Sequence, residues 1–138
     1  MKLKKSTENP RIIVIQKLYG YFLSKDSELV FQKHRYKKFI KDVVNGTIER
    51  KEIIEDLIIK KLKNNINDNK TDLIIKLMIM AAIYEFMYMH KTPIKVVISE
   101  YLKVSDSFVD EGQKSFLNAI LEKASKISRT TNEWICSN

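Results

Sequence analysis

Glycine and proline are scarce in this chain: three glycines, two prolines, one cysteine and one tryptophan in 138 residues. So few chain breakers exclude a linker or low-complexity tail and point to one compact domain. The glycines, Gly20, Gly46 and Gly112, lie too far apart to build a phosphate-cradling loop or a dinucleotide fingerprint. The lone Cys136 has no intramolecular partner, which excludes a disulfide framework and suits the reducing cytoplasm. His34 and His90 are isolated and do not reach metal-ligand spacing with that cysteine. They read as a solvated helix residue and a helix-end cation. No serine elbow and no cysteine flanked by a base is present. These absences predict a binding protein and not an enzyme, with no cofactor and no metal.

Long apolar runs are missing as well. The most apolar stretch, Leu73 to Met89, is interrupted by Lys76 and Glu85 and falls short of the roughly 20 residues that span a bilayer. It is expected to be a core helix. Lys2, Lys4 and Lys5 are followed by no signal-peptide core, so neither export nor a membrane span is expected. What the chain does have is positive charge: 25 Lys and Arg against 17 Asp and Glu give +8 and a pI near 9.5. That balance favours a polyanionic partner, because each neutralised phosphate releases counterions.

The apolar residues follow helical spacing throughout, and no two-residue alternation is present. Ile12, Ile15, Tyr19, Phe22 and Leu23 form one stripe, and Leu29, Tyr36, Phe39, Ile40 and Val43 a second, closed by Asn45, Gly46 and Thr47. A third has Ile54, Leu57, Ile58 and Leu62 inside. After the polar run Asn64 to Asn69, Thr71 or Asp72 caps a hub helix, apolar nearly all round. Thr92 and Pro93 form an N-cap and first-turn pair for a fifth helix with Ile94, Val97, Ile98, Tyr101 and Leu102 inward. Phe116, Leu117, Ile120, Leu121, Ala124 and Ile127 mark the last. The expected architecture is all-α: one compact domain of two packed helical halves over residues 11–129. A flexible basic arm (1–10) precedes it and a polar tail (130–138) follows, with Trp134 folding back.

Three features stand out for binding. Glu85 lies within the hub's apolar run, where an unpaired carboxylate would cost several kcal/mol. It faces outward, pairs internally with a lysine, or serves as an acceptor at a protein interface. Cations cluster in the arm (Lys2, Lys4, Lys5, Arg11) and in the second helix (Lys33, Arg35, Lys37, Lys38, Lys41). The arm suits wrapping a single strand, whereas the second-helix charges read as a solubilising face. Phe116, beside Lys114, is a base-stacking candidate as well as a core residue.

Several segments together resemble the NusB transcription antitermination family. The first helix, Arg11-Ile12-Ile13-Val14-Ile15-Gln16-Lys17-Leu18-Tyr19, is similar to the family's opening, and Ala81-Ala82-Ile83-Tyr84-Glu85-Phe86 to its apolar-Tyr-Glu segment. The most specific matches are Thr92-Pro93-Ile94-Lys95-Val96-Val97-Ile98-Ser99-Glu100, Ser107-Phe108, and Ser115-Phe116-Leu117-Asn118-Ala119-Ile120-Leu121-Glu122-Lys123. Order and spacing are kept from about Arg11 to Ile127.

The resemblance implies a NusB-like all-helical fold and a partner, the ribosomal small-subunit protein NusE. With that partner it implies binding of boxA-like single-stranded RNA within the RNA polymerase antitermination complex, supporting ribosomal RNA transcription. Tyr19 and Glu85 would face NusE. Lys2, Lys4, Lys5, Arg11, Lys76, Lys114, Phe116 and Asn118 would lie toward the RNA. The alternative is a NusE-binding module with little RNA affinity, and a homodimer is a further state open to such a chain. Departures from the family pattern fall mainly on the RNA side. Lysines stand in the arm where arginines are usual, which loses bidentate phosphate recognition. Met80 replaces the arginine four residues before Tyr84. Ser99, Gly112 and Ser115 replace an asparagine, an acidic residue and a lysine.

Overall fold

The computed structural model describes residues 9–24, 28–62 and 73–137; for 58–61 and 129–137 it describes only the course of the backbone. Among these residues there are six helices and no strand, the all-α class expected from the spacing. They are α1 (Pro10–Leu23), α2 (Lys37–Glu49), α3 (Lys51–Lys61), α4 (Leu73–Tyr88), α5 (Ile94–Ser105) and α6 (Glu111–Ser137).

The start of α1 is written locally. Asn9 caps it by accepting the Arg11 backbone N–H at 3.0 Å, and Pro10 takes the first position, where its missing donor is harmless. The arm is therefore structured from Asn9 onward; Lys2, Lys4 and Lys5 lie outside the described residues. Ser24 closes α1 through its backbone N–H to the Gly20 carbonyl. The buried face of α1 is Ile12, Val14, Ile15 and Leu18 together with Arg11, so the expected stripe is rotated, and Tyr19 and Leu23 turn outward.

The second helix begins and ends later than its apolar spacing suggests. Residues 28–36 run irregularly, and α2 continues through Gly46 and Thr47, both buried. Gly46 does not have the positive φ of a left-handed cap. Its role is close approach: a Cβ there would lie 2.2 Å from the ring of Tyr84 on α4. Pro93, rather than Thr92, is the N-cap of α5. The region read as a polar tail is helical to Ser137, and Trp134 falls where side chains are not described.

The hub is α4, which packs against each of the other five helices. Eleven of its sixteen residues are buried, which explains an apolar surface on every side; each fully buried Ile, Leu or Met is worth roughly 1.5–3 kcal/mol. Val97, Tyr101 and Val104 of α5 and Leu117, Ile120, Leu121 and Ala124 of α6 pack into the same continuous core as α1–α3. No described helix is long and apolar enough to cross a membrane.

Candidate nucleic-acid and partner interface

The charged centre of the molecule lies inside it. Glu85 is fully buried on α4, and Arg11 at the start of α1 is 9% exposed. The Arg11 guanidinium grips the carboxylate bidentately, with Nη2 donating to Oε1 at 2.7 Å and Nε to Oε2 at 3.0 Å. The Tyr101 hydroxyl of α5 donates to the same Oε2 at 2.5 Å. The guanidinium also stacks over the Phe39 ring of α2, 4.7 Å from its centroid. Three helices thus meet on one acceptor, with α2 stacked on the guanidinium, and two N–H groups of the guanidinium fork are used side by side, which lysine could not do.

Burial works against the charge on Arg11, but the hydrogen bond and attraction of Glu85 outweigh it and hold its pKa above the ordinary value. Burial, reinforced by the negative Glu85, pushes the Tyr101 phenol well above its usual range. Two expectations are corrected by this geometry. Glu85 is not a surface acceptor, because the internal pair satisfies it. Arg11 does not present its guanidinium to RNA, because it is spent on Glu85. Both residues act by fixing where α1 enters the bundle. Tyr101, read from spacing as an inward apolar position, is the third member; a tyrosine on a buried stripe, needing a hydroxyl partner, was the available signal.

The remaining candidates lie on the surface. Lys114, Phe116 and Asn118 occupy the first half of α6: Lys114 and Phe116 half-buried, Asn118 exposed. Lys114 bonds Asp106, beyond the end of α5, at 2.8 Å, and that hydrogen bond raises its pKa. A groove of about 500 Å³ runs between α5 and α6, lined by Lys95, Ile98, Ser99, Leu102, Lys103, Lys114 and Glu122. Three lysines and one acid line it, and two of the lysines are paired at its edge, Lys103 with Glu100 at 3.7 Å and Lys114 with Asp106 at 2.8 Å, which leaves Lys95 as the groove lysine without an ion pair among the described residues. Lys95 and Lys103 were not singled out in the sequence, although Lys95 lies three residues before Ile98 and Lys103 four after Ser99, the helical steps that share a face. Lys76 is half-buried near the start of α4, and the groove does not include it. Met80, where the family pattern has an arginine, is buried in the core. Ser99, Gly112 and Ser115 are exposed.

At the other end of α1, Tyr19 is 36% and Leu23 60% exposed. Four residues apart on one helix, they share a face. His90 donates from Nε2 to the Met87 carbonyl at 2.7 Å, just beyond the end of α4. His34 belongs to the irregular segment before α2, not to a helix. Among the described residues no group of His, Cys, Asp and Glu could hold a metal ion.

A buried hub helix, a clamp that locks the bundle, a lysine-lined groove and an exposed apolar helix end define an all-helical bundle. The comparisons give the family. The NusB family model matches residues 8–126, and the chain belongs to the NusB family. Curated relatives called transcription antitermination protein NusB include one from Mesorhizobium japonicum, 22% identical over 107 residues, which are 78% of this chain and 69% of the relative. The Bradyrhizobium diazoefficiens protein is 29% identical over 85 residues, 62% of this chain and 52% of the relative. The Bacillus thuringiensis protein is 30% identical over 84 residues, 61% and 64%. The chain thus spans between about half and two thirds of these relatives' lengths. Among solved structures, NusB of T. maritima shares the fold with a TM-score of 0.74 at 22% identity, covering 86% of this chain and 89% of that one.

Proposed function

We propose that this chain is an antitermination factor that pairs with the ribosomal small-subunit protein NusE and, as that pair, holds boxA-like single-stranded RNA during ribosomal RNA transcription. The observation that carries this reading is the α5–α6 groove lined by Lys95, Lys103 and Lys114, on a chain of the NusB family. Lys95, Lys103 and Lys114 neutralise phosphates there, Phe116 offers a ring edge to a base, and Asn118 offers an amide to base edges. The arm lysines Lys2, Lys4 and Lys5 add positive charge for the strand, and Lys76, outside the groove, adds a further cation. Tyr19, with Leu23 one turn on, forms the apolar contact for the protein partner. Such a protein works in the cytoplasm, by binding rather than turnover.

The test is a fluorescence-anisotropy titration of boxA-containing RNA with the chain alone and with its cognate NusE, at two salt concentrations. Tight binding in the pair that weakens steeply with salt is the expected result. A stable NusE complex without RNA binding would reduce the function to protein interaction alone.

A further inference from the structure

Of the cations expected on a solubilising helix face, Lys37, Lys38 and Lys41 are on α2, whereas Lys33 and Arg35 precede it. Lys33 belongs to the irregular segment 28–36, Lys37 opens α2, and Lys17 comes from α1. The fold brings all three to one recess of about 450 Å³ between α1 and α2. Its other walls are Ile13, Gln16, Phe31, Gln32, His34 and Ile40, with no acidic residue among them. Among the described residues, none of the three lysines is in an ion pair. The segment carrying Lys33 has a set shape: His34 accepts the Tyr36 N–H at Nδ1, at 2.9 Å, and its carbonyl accepts the Lys37 N–H at 3.2 Å. Phe31 and Ile40 pack on the core, and the Lys41 ammonium stands 5.9 Å from the Phe31 ring centroid.

A solubilising surface needs no cavity, no apolar floor and no amides. Like-charged lysines gathered without counter-charge around an apolar recess raise the potential there, and an anion relieves it. The volume lies within the range of small-ligand sites, roughly 300–1,000 Å³. Gln32 adds both a donor and an acceptor, which an anion alone does not use but the edge of a base does. Cations, amides and an aromatic side chain together are the chemistry of a single nucleotide.

We propose that the recess between α1 and α2 binds one phosphorylated nucleotide of an RNA strand, its phosphate on Lys17, Lys33 and Lys37 and its base against Ile13, Phe31 and Ile40. The inference deepens the RNA-binding reading above and rests on it for the source of the nucleotide. It gives the strand a second foothold, on α1 and α2, separate from the α5–α6 groove.

The test begins with two-dimensional amide NMR of the full chain, titrated with uridine monophosphate, with uridine, with inorganic phosphate and with an acidic peptide. Saturable shifts of residues 13–17 and 31–40 are expected with uridine monophosphate, and at least about fivefold weaker binding of each of the other three. The surface variant K33A/K37A, its fold checked by circular dichroism, should weaken the nucleotide about tenfold, and K114A should not. Absent or variant-insensitive shifts overturn the site, phosphate binding as well as the nucleotide overturns base recognition, and a preference for the acidic peptide overturns the nucleotide class. The second stage uses a single-stranded RNA with the NusE pair, for which K33A/K37A should cut affinity about tenfold at about 50 mM salt. RNA binding that K114A weakens and K33A/K37A does not would overturn the recess while leaving the proposed function standing. No RNA binding in the pair would overturn that function and the strand as the nucleotide's source, and the mononucleotide titration would then decide the recess alone.

Discussion

The ion pairs Arg11–Glu85 and Lys114–Asp106 are nearly equal in length, 2.7 and 2.8 Å, in opposite surroundings. In the first, the side chains are 11% and 0% exposed; in the second, 31% and 57%. Distance therefore does not rank them. Water screens the outer pair and stands ready to replace either partner, whereas nothing replaces Glu85 around Arg11. The inner pair ties four helices; the outer one modulates the charge of a groove. The same contact is architecture in one place and surface tuning in the other.

Breaking the inner pair should have the largest effect. Glu85→Ala leaves a buried guanidinium uncompensated and should cost about 3–5 kcal/mol, read as a lower urea midpoint. Replacing both partners by apolar residues of similar size, R11M with E85L, should cost clearly less than the two single changes summed. An additive result would mean that the pair is not coupled. Tyr101→Phe removes one hydrogen bond to a charged group and should cost about 1.5–3 kcal/mol.

The phenol also gives the clamp a pH signature. The raised pKa of Tyr101 means that the folded state keeps a proton the unfolded chain releases near pH ~10. Its contribution is therefore full below that pH and is lost as pH rises beyond it, toward the folded value. Stability should fall on the alkaline side of pH ~10, and Y101F should flatten that fall in a urea-midpoint series.

Next to the clamp, Gly46→Ala drives a methyl into the Tyr84 ring and should cost about 1–3 kcal/mol, unless the half-buried ring swings outward. G46A combined with Y84A should recover part of that loss, since the clash disappears. The outer pair should give the smallest stability effect: Asp106→Asn should leave the urea midpoint unchanged. It should instead raise RNA affinity about two- to threefold at low salt, by removing an acid beside Lys114. A large loss of stability in that variant would erase the contrast between the two pairs.

Much of the fold was legible because helical periodicity and caps are local. Asn9 and Pro10 announce α1, and the apolar run from Leu73 announces a helix with neighbours on every side. Where α2 lies was not legible, since Gly46 and Thr47 carry the marks of a helix end, and the space the Tyr84 ring takes beside Gly46 is seen only in the packed helices. The family resemblance and the family model agree. The site was legible only in part: Lys114 and Asn118 are at the surface as expected, Tyr19 is outward, and Phe116 is half-buried. Arg11 was placed toward the RNA and Glu85 was left between an outward position, an internal pair and an interface, because spacing shows that a carboxylate sits in an apolar run but not which cation, 74 residues away, reaches it.

By itself the sequence determined the all-α class, the hub, the positive charge and the family, because each is set by composition or by patterns a few residues long. Only the tertiary structure decided which charges are neutralised inside and which gather outside. Arg11 is withdrawn into the clamp, while Lys17, Lys33 and Lys37 come together from three separate segments. The reason is physical: the energy of a charge depends on its burial and on partners distant in sequence, and the packing of helices alone brings those into reach.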